Sequence, residues 1–165
     1  MIKLIVLDVD GTLTDGKITY DANGVESKSF DVKDGLAIAS WTKKLGLKAA
    51  IITGRDSKIT KIRAKELGIT HLYQGVNNKD EVLKNILQKE NITFKNVAAI
   101  GDDLNDYKML QKVALSFCPN DAVEDIKNIV KVVCSKKGGC GAVREMIEYI
   151  LKFEDKEDAI KDLWL

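Results

Sequence analysis

Residues 2–16 read Ile2-Lys3-Leu4-Ile5-Val6-Leu7-Asp8-Val9-Asp10-Gly11-Thr12-Leu13-Thr14-Asp15-Gly16, and the fold turns on how an apolar run there gives way to two carboxylates. The run Ile2 to Leu7 has the pattern of a buried strand, so Asp8 and Asp10 arrive together at its C-terminal end, where the chain turns. Two like charges one residue apart repel and raise each other's pKa unless a cation lies between them. The pair is costly for the fold by itself, and it predicts a divalent metal.

Working outward, apolar runs alternate with amphipathic stretches. Strands are expected over Lys3 to Leu7, Leu47 to Ile52, His71 to Gln74, Val97 to Ile100, Ala114 to Phe117 and Val130 to Cys134. Helices are expected over Leu36 to Leu45, Ser57 to Leu67, Asp80 to Lys89, Asp106 to Lys112, Ala122 to Asn128 and Ala142 to Phe153. Leu83, Ile86, Leu87 and Ile92 form a one-sided stripe, and Gly46 and Gly68 stand where helix C-caps belong. Such alternation requires crossover connections, hence an α/β, Rossmann-like fold with a central parallel sheet covered by helices on both faces. The exception is residues 17–30, where two short alternating segments flank Asp21-Ala22-Asn23-Gly24. Asn-Gly is a strong hairpin signal, so a β-hairpin should project directly after the aspartate pair. One domain over residues 1–153 is expected, followed by a charged tail over 154–165 that ends Leu163-Trp164-Leu165.

Bulk properties narrow the function classes. A chain of 165 residues with 45% hydrophobic content builds one real core. Lysine and arginine number 26 against 25 acids, giving a formal net charge of +1 without a basic block to track a phosphate backbone, so nucleic acid is not an expected partner. No apolar run approaches the roughly 18 residues of a membrane span and no leader pattern opens the chain, so the expected location is cytoplasmic and no membrane partner is expected. Cys118, Cys134 and Cys140 form no close-spaced pair and read as small apolar residues in a reducing compartment.

In an open parallel sheet, ligands bind beyond the carboxyl ends of the strands. There the sequence places Asp8 and Asp10, then Thr53-Gly54-Arg55, then Lys79 at a helix start, then Gly101-Asp102-Asp103-Leu104-Asn105-Asp106. The set offers carboxylates for a hard cation, a hydroxyl and a glycine amide as donors, and a compact ammonium. Those are the parts phosphoryl transfer requires. Each alone is a weak signal: Lys79 reads as a solvated helix start, and Asp106 as an acid favoured by a helix dipole. Their joint occurrence at successive strand ends carries the inference.

These four segments resemble the motifs of the haloacid dehalogenase superfamily of phosphatases: Asp-x-Asp-x-Thr/Val, Ser/Thr, Lys and Gly-Asp-Asp-x-x-Asp. The resemblance implies that Asp8 attacks phosphorus, that Asp10 serves as acid and base, and that Thr53 and Lys79 bind phosphoryl oxygens. It further implies Mg2+ held by Asp8, the backbone carbonyl of Asp10 and Asp102, with Asp103 and Asp106 in support. Neither gap between motifs has room for a cap domain, so the site should be open unless a neighbouring subunit covers it. Asp8 to Gly16, Ser29 to Gly35, Thr53 to Ser57, Gly101 to Asp106 and Gly138 to Glu145 narrow the resemblance to capless phosphatases of 3-deoxy-D-manno-octulosonate 8-phosphate, over roughly residues 1–150. That branch implies a homotetramer in lipopolysaccharide precursor synthesis, with a sugar-acid phosphate bound by Asp31, Val32, Lys33, Asp34, Gly35, Gly54, Arg55, Arg63 and Lys79. The Gly138 to Arg144 segment would reach an adjacent active site, or Arg144 would pair with Glu148 at i,i+4. Two departures stand out: Lys33 replaces a common arginine and Thr12 a frequent valine. Lys33 forgoes bidentate recognition of a carboxylate, which leaves a phosphatase of another sialic-type or nonulosonic sugar acid as the alternative substrate reading.

Two other classes compete. A phosphatase-like binding module would keep the fold without turnover, but every essential group is present. A phosphate-accepting receiver domain would carry its acidic pair and its acceptor on different strands and would lack Gly-Asp-Asp-x-x-Asp.

Overall fold

The computed structural model describes residues 1–165. Six parallel strands form the central sheet: β1 (Leu4–Leu7), β4 (Lys48–Ile52), β5 (His71–Tyr73), β6 (Val97–Ile100), β7 (Leu115–Cys118) and β8 (Val132–Val133), in the order β5-β4-β1-β6-β7-β8. β1 lies between β4 and β6, with Leu7 level with Ile51 on one side and Ile100 on the other. It is wholly buried, as its unbroken apolar run requires. The chain runs outward from β1 in one direction and later returns to fill the other, so the strand order reverses beside β1 and opens a crevice beyond Leu7.

Alternate residues feed two cores. Ile5, Leu7, Ala49, Ile51, Ala98 and Ile100 pack against α1 (Val32–Ala39), α2 (Lys58–Glu66) and α6 (Ala142–Phe153) through Ala37, Ile38, Ala64, Met146, Ile147 and Ile150. Leu4, Val6, Ala50, Ile52, Val97 and Ala99 face α3 (Lys79–Glu90) and α4 (Tyr107–Leu110) through Leu83, Ile86, Leu87, Met109 and Leu110. Period-2 side-chain alternation is what divides a continuous apolar strand between two layers. No helix is long and apolar enough to cross a membrane.

Element boundaries differ from expectation in instructive places. The first helix starts at Val32 rather than Leu36, because Asp31 accepts hydrogen bonds from the backbone N–H groups of Lys33 and Asp34 and caps it. Its continuation, Ser40–Lys44, widens into a π turn. The expected helix over Ala122 to Asn128 shrinks to α5 (Glu124–Lys127), and the last strand to two residues. The hairpin is present as β2 (Thr19–Tyr20) and β3 (Glu26–Ser27), short and antiparallel. Asp21 Oδ1 accepts from the N–H groups of Asn23 and Val25, and Gly24 takes the left-handed position at φ +76°. Cys118 and Cys134 are buried as expected, whereas Cys140 is exposed.

The tail adds α7 (Ala159–Asp162) and folds back on the domain. Ile160 joins the larger core, the Trp164 indole N–H donates to Ser40 Oγ at 2.9 Å, and Lys44 Nζ stands 3.6 Å from the Trp164 ring centre. Trp164→Ala should therefore lower stability by about 1–2 kcal/mol through loss of one hydrogen bond and one cation–π contact. Urea unfolding monitored by far-UV circular dichroism reads this directly, and an unchanged midpoint would contradict the docking.

Candidate active site

Asp8 is the first residue past β1, and its N–H donates to the Ile100 carbonyl at 3.2 Å, so the sheet ladder itself aims it into the crevice. The chain then turns tightly: the N–H groups of Thr12, Leu13 and Thr14 all donate to the Val9 carbonyl. Gly11 sits at φ +92°, and a Cβ there would land on the Asp102 carboxylate, so only glycine serves. Beyond β6 the chain forms a 3-10 turn, Leu104–Asp106, capped by Asp103, which accepts from the Leu104 N–H at 2.7 Å. Asp106 Oδ2 accepts from the Asp102 N–H at 3.1 Å, and a Cβ on Gly101 would collide with the Asp106 carboxyl group. Lys79, first residue of α3, reaches under both loops. Its buried Nζ donates to Asp8 Oδ1 at 2.5 Å and to Asp106 Oδ1 at 2.6 Å.

One carboxylate oxygen from each of Asp8, Asp102 and Asp106 falls within 4.8 Å of the others. Burial pushes the Asp8 carboxyl up to about 7, with Asp102 adding to the effect and Lys79 opposing it. Burial likewise lifts Asp102 and Asp106 to about 6. Two buried carboxylates and a half-buried one against one ammonium leave excess negative charge in a site built from hard oxygen donors, which fits a divalent cation such as Mg2+. Asp106, expected in support, stands beside Asp8 and Asp102 with Oδ1 accepting from Lys79 and Oδ2 from the Asp102 N–H.

Asp8 and Asp10 line the same cavity, but of the two only the Asp8 side chain belongs to the carboxylate cluster. Asp10 Oδ1 instead accepts from Lys28 Nζ at 2.6 Å, with Arg55 Nε 4.0 Å from Oδ2. Lys28 was not singled out by the sequence; the signal available was that the hairpin starts directly after the aspartate pair and must return past it. Asn105 was likewise passed over inside its own motif.

Asp8, Asp10, Thr53, Gly54, Arg55, Asp102, Asp103 and Asn105 line an open cavity of about 390 Å³ with no hydrophobic residue in its wall. Thr53 is buried at the end of β4, where its N–H donates to the Tyr73 carbonyl at 3.0 Å. Arg55 is 47% exposed at the rim and donates to Tyr20 Oη and Glu26 Oε1 of the hairpin. The remaining substrate candidates do not line this cavity. Asp31 caps α1, and Val32 is exposed. Lys33 borders a separate groove with Arg144 and Glu148. Asp34 is buried with Oδ1 accepting the Arg144 N–H at 2.8 Å, so one helix caps another, while Oδ2 has no partner. Gly35 leaves room for the Arg63 guanidinium, which donates to the Asp31 carbonyl and to Glu66. The glycine-rich segment packs inward: the Gly139 N–H donates to the Thr12 carbonyl at 3.0 Å, and a Cβ on Gly138 would strike the Gly11 carbonyl. Arg144 pairs with Glu148 at 2.6 Å, as the i,i+4 spacing anticipates.

Residues 59–147 match the family model of haloacid dehalogenase-like hydrolases, and the chain belongs to that family. Among its relatives is the 3-deoxy-D-manno-octulosonate 8-phosphate phosphatase KdsC of Escherichia coli K12, 42% identical over 160 residues that cover 97% of this chain and 85% of the relative. A crystal structure of the Moraxella catarrhalis phosphatase of that name, in complex with magnesium ion, phosphate ion and a KDO molecule, superposes with a TM-score of 0.95 at 40% identity, covering 99% of this chain and 94% of that one. The cobalt-bound Haemophilus influenzae protein gives 0.89 at 39% identity, covering 95% and 91%.

A pH dependence follows from the buried carboxyls. Asp8, at about 7, and Asp34, Asp102 and Asp106, at about 6, hold protons more firmly folded than at their ordinary value of 3.8. The stability they contribute is present at low pH and is lost as pH rises through that window. A cation held by the ionised cluster would make the rise in melting temperature caused by Mg2+, relative to chelator, grow from about pH 5 to about pH 7.5. Scanning calorimetry showing no Mg2+ effect at the upper pH would exclude the cluster as a cation site.

Proposed function

We infer that this chain is a Mg2+-dependent phosphomonoesterase that hydrolyses 3-deoxy-D-manno-octulosonate 8-phosphate to KDO and inorganic phosphate, within lipopolysaccharide precursor synthesis in the cytoplasm. The observation that carries this reading is the convergence of Asp8, Asp102, Asp106 and Lys79 beneath an all-polar cavity, in a chain 40% identical to a phosphatase solved with magnesium, phosphate and KDO.

In this reading Asp8 attacks phosphorus as the P–O bond to the sugar breaks, giving an aspartyl phosphate. Asp10 passes a proton to the leaving alkoxide oxygen, then takes one from the water that cleaves the Asp8–phosphate bond. Thr53 and the Gly54 amide hold phosphoryl oxygens, and Lys79 keeps Asp8 oriented while offering its charge to the transferred group. Asp8, Asp102 and the Asp10 carbonyl would hold Mg2+, with Asp106 in support, and the ion would offset the negative charge gathered on the phosphoryl group. Asp103 caps the turn that carries Asp102 and Asp106.

Specificity has to come from more than this one cavity, which is open and has no apolar wall to grip a sugar. Arg55 at the rim is suited to the substrate's charged groups. Asp31, Val32, Lys33, Asp34, Gly35 and Arg63 do not line this cavity, and a homotetramer in which a neighbouring subunit's surface faces the substrate would supply the missing wall. Lys33 in place of a bidentate arginine favours, as a second reading, a phosphatase of a related nonulosonic sugar acid.

Phosphate release from a panel of sugar-acid phosphates, with Mg2+ and with chelator, tests the assignment. Fast Mg2+-dependent release from 3-deoxy-D-manno-octulosonate 8-phosphate is expected, and release only from other sugar acids would select the second reading. Asp8→Asn should lower turnover by about 10⁴-fold or more without unfolding the protein. Light scattering should report a tetramer, and a fully active monomer would contradict the assembly.

A further inference from the structure

We propose that Lys28 is a positioning residue that holds the Asp10 carboxylate apart from the Asp8–Asp102–Asp106 cluster, and so keeps it available as the acid and base. The inference rests on the phosphatase reading above and goes beyond it, because it assigns a role to the hairpin.

Besides Asp103, which caps its own turn, four carboxylates crowd the ends of β1 and β6, yet only three converge. The fourth, Asp10, has Lys28 Nζ at 2.6 Å from Oδ1, while Oδ2 has only Arg55 Nε at 4.0 Å. The Lys28 side chain is 1% exposed, and its other acidic neighbour is Glu26 Oε1 at 3.7 Å. An ammonium so far removed from water needs acidic partners: Asp10 holds it at contact distance, and Glu26 stays beside it when Asp10 carries a proton. Strand alternation puts Glu26 and Lys28 on one face of the returning hairpin strand, with Ser27 on the other. Glu26 is shared with Arg55 at 3.3 Å, and Tyr20 Oη takes a hydrogen bond from the same guanidinium at 3.1 Å. The two strands thus hold both cations that flank Asp10.

The need for such a tether is electrostatic. A divalent cation among three carboxylates attracts any fourth carboxylate within reach, and hard cations accept six or more oxygens. A carboxylate drawn in as a ligand cannot hand a proton to a leaving group. Lys28 supplies the opposing attraction. With Oδ1 held, Oδ2 is left to carry the proton that passes to the alkoxide oxygen as the P–O bond breaks, and to receive one from the water that later attacks the Asp8 phosphate.

Leaving-group dependence separates this role from a merely structural one, because an activated aryl phosphate needs little protonation and a sugar alkoxide needs it fully. Lys28→Met should lower kcat for the sugar-acid phosphate by about 100-fold with KM changed by less than about threefold, while kcat for p-nitrophenyl phosphate falls by less than about fivefold. Lys28→Arg should recover most of the loss. Lys28→Gln, which keeps length and a donor without the charge, serves the same comparison if Lys28→Met does not fold. Equal losses on both substrates, or no loss on either, would overturn the proposal. So would Mg2+ affinity, measured by titration calorimetry, weakened more than about tenfold, since the effect would then lie in the cluster. Turnover surviving Asp8→Asn would instead remove the phosphatase reading itself, a failure that the leaving-group comparison does not produce.

Discussion

The buried ammonium of Lys79 is the interaction on which the site depends. It lies between Asp8 and Asp106, residues that belong to loops after two different strands and would otherwise repel each other in a region closed to water. Isolated buried carboxylates either take up protons or force the surrounding structure apart. One fully buried cation at the start of α3 lets the β1 and β6 loops approach, and the remaining negative charge is what makes the place attractive to a divalent metal. Its position is set by the fold: α3 packs Leu83, Ile86 and Leu87 into the core, which fixes the helix start beneath the strand ends.

Close approach of backbone completes the arrangement. Gly11, Gly101 and Gly138 each stand where a Cβ would overlap Asp102, Asp106 or the Gly11 carbonyl. The first two let the carboxylates lie against the main chain, and the third lets the loop before α6 brace the turn after β1 from behind. Asp34 adds a tie from α1 to the start of α6 by accepting the Arg144 N–H. A residue that a family resemblance marks for substrate thus also holds the two helices together.

The hairpin contributes in a different currency. It buries little, since Thr19, Tyr20 and Ser27 are exposed and Glu26 only partly covered. What it delivers is charge placed beside Asp10, through Lys28 directly and through Glu26 and Tyr20 on Arg55. Its position in the chain, immediately after the aspartates, makes that delivery local and keeps the sheet free of distortion.

Patterns one or two residues long were enough for the sequence to determine the α/β alternation, the burial of β1, the hairpin, and the four polar segments at the strand ends. Those features follow from periodicity, turn chemistry and the rule that ligands gather beyond the strands of a parallel sheet. The tertiary structure decided which carboxylates meet. Asp8 and Asp10 are two residues apart in sequence yet pair with different lysines, whereas Asp8 lies far in sequence from Asp102 and Asp106 and converges with them. Burial depth, the direction in which a turn throws a side chain, and the return path of Lys28 arise from packing across nearly the whole chain. Local sequence carries no record of them, because electrostatic partners are chosen by distance in space.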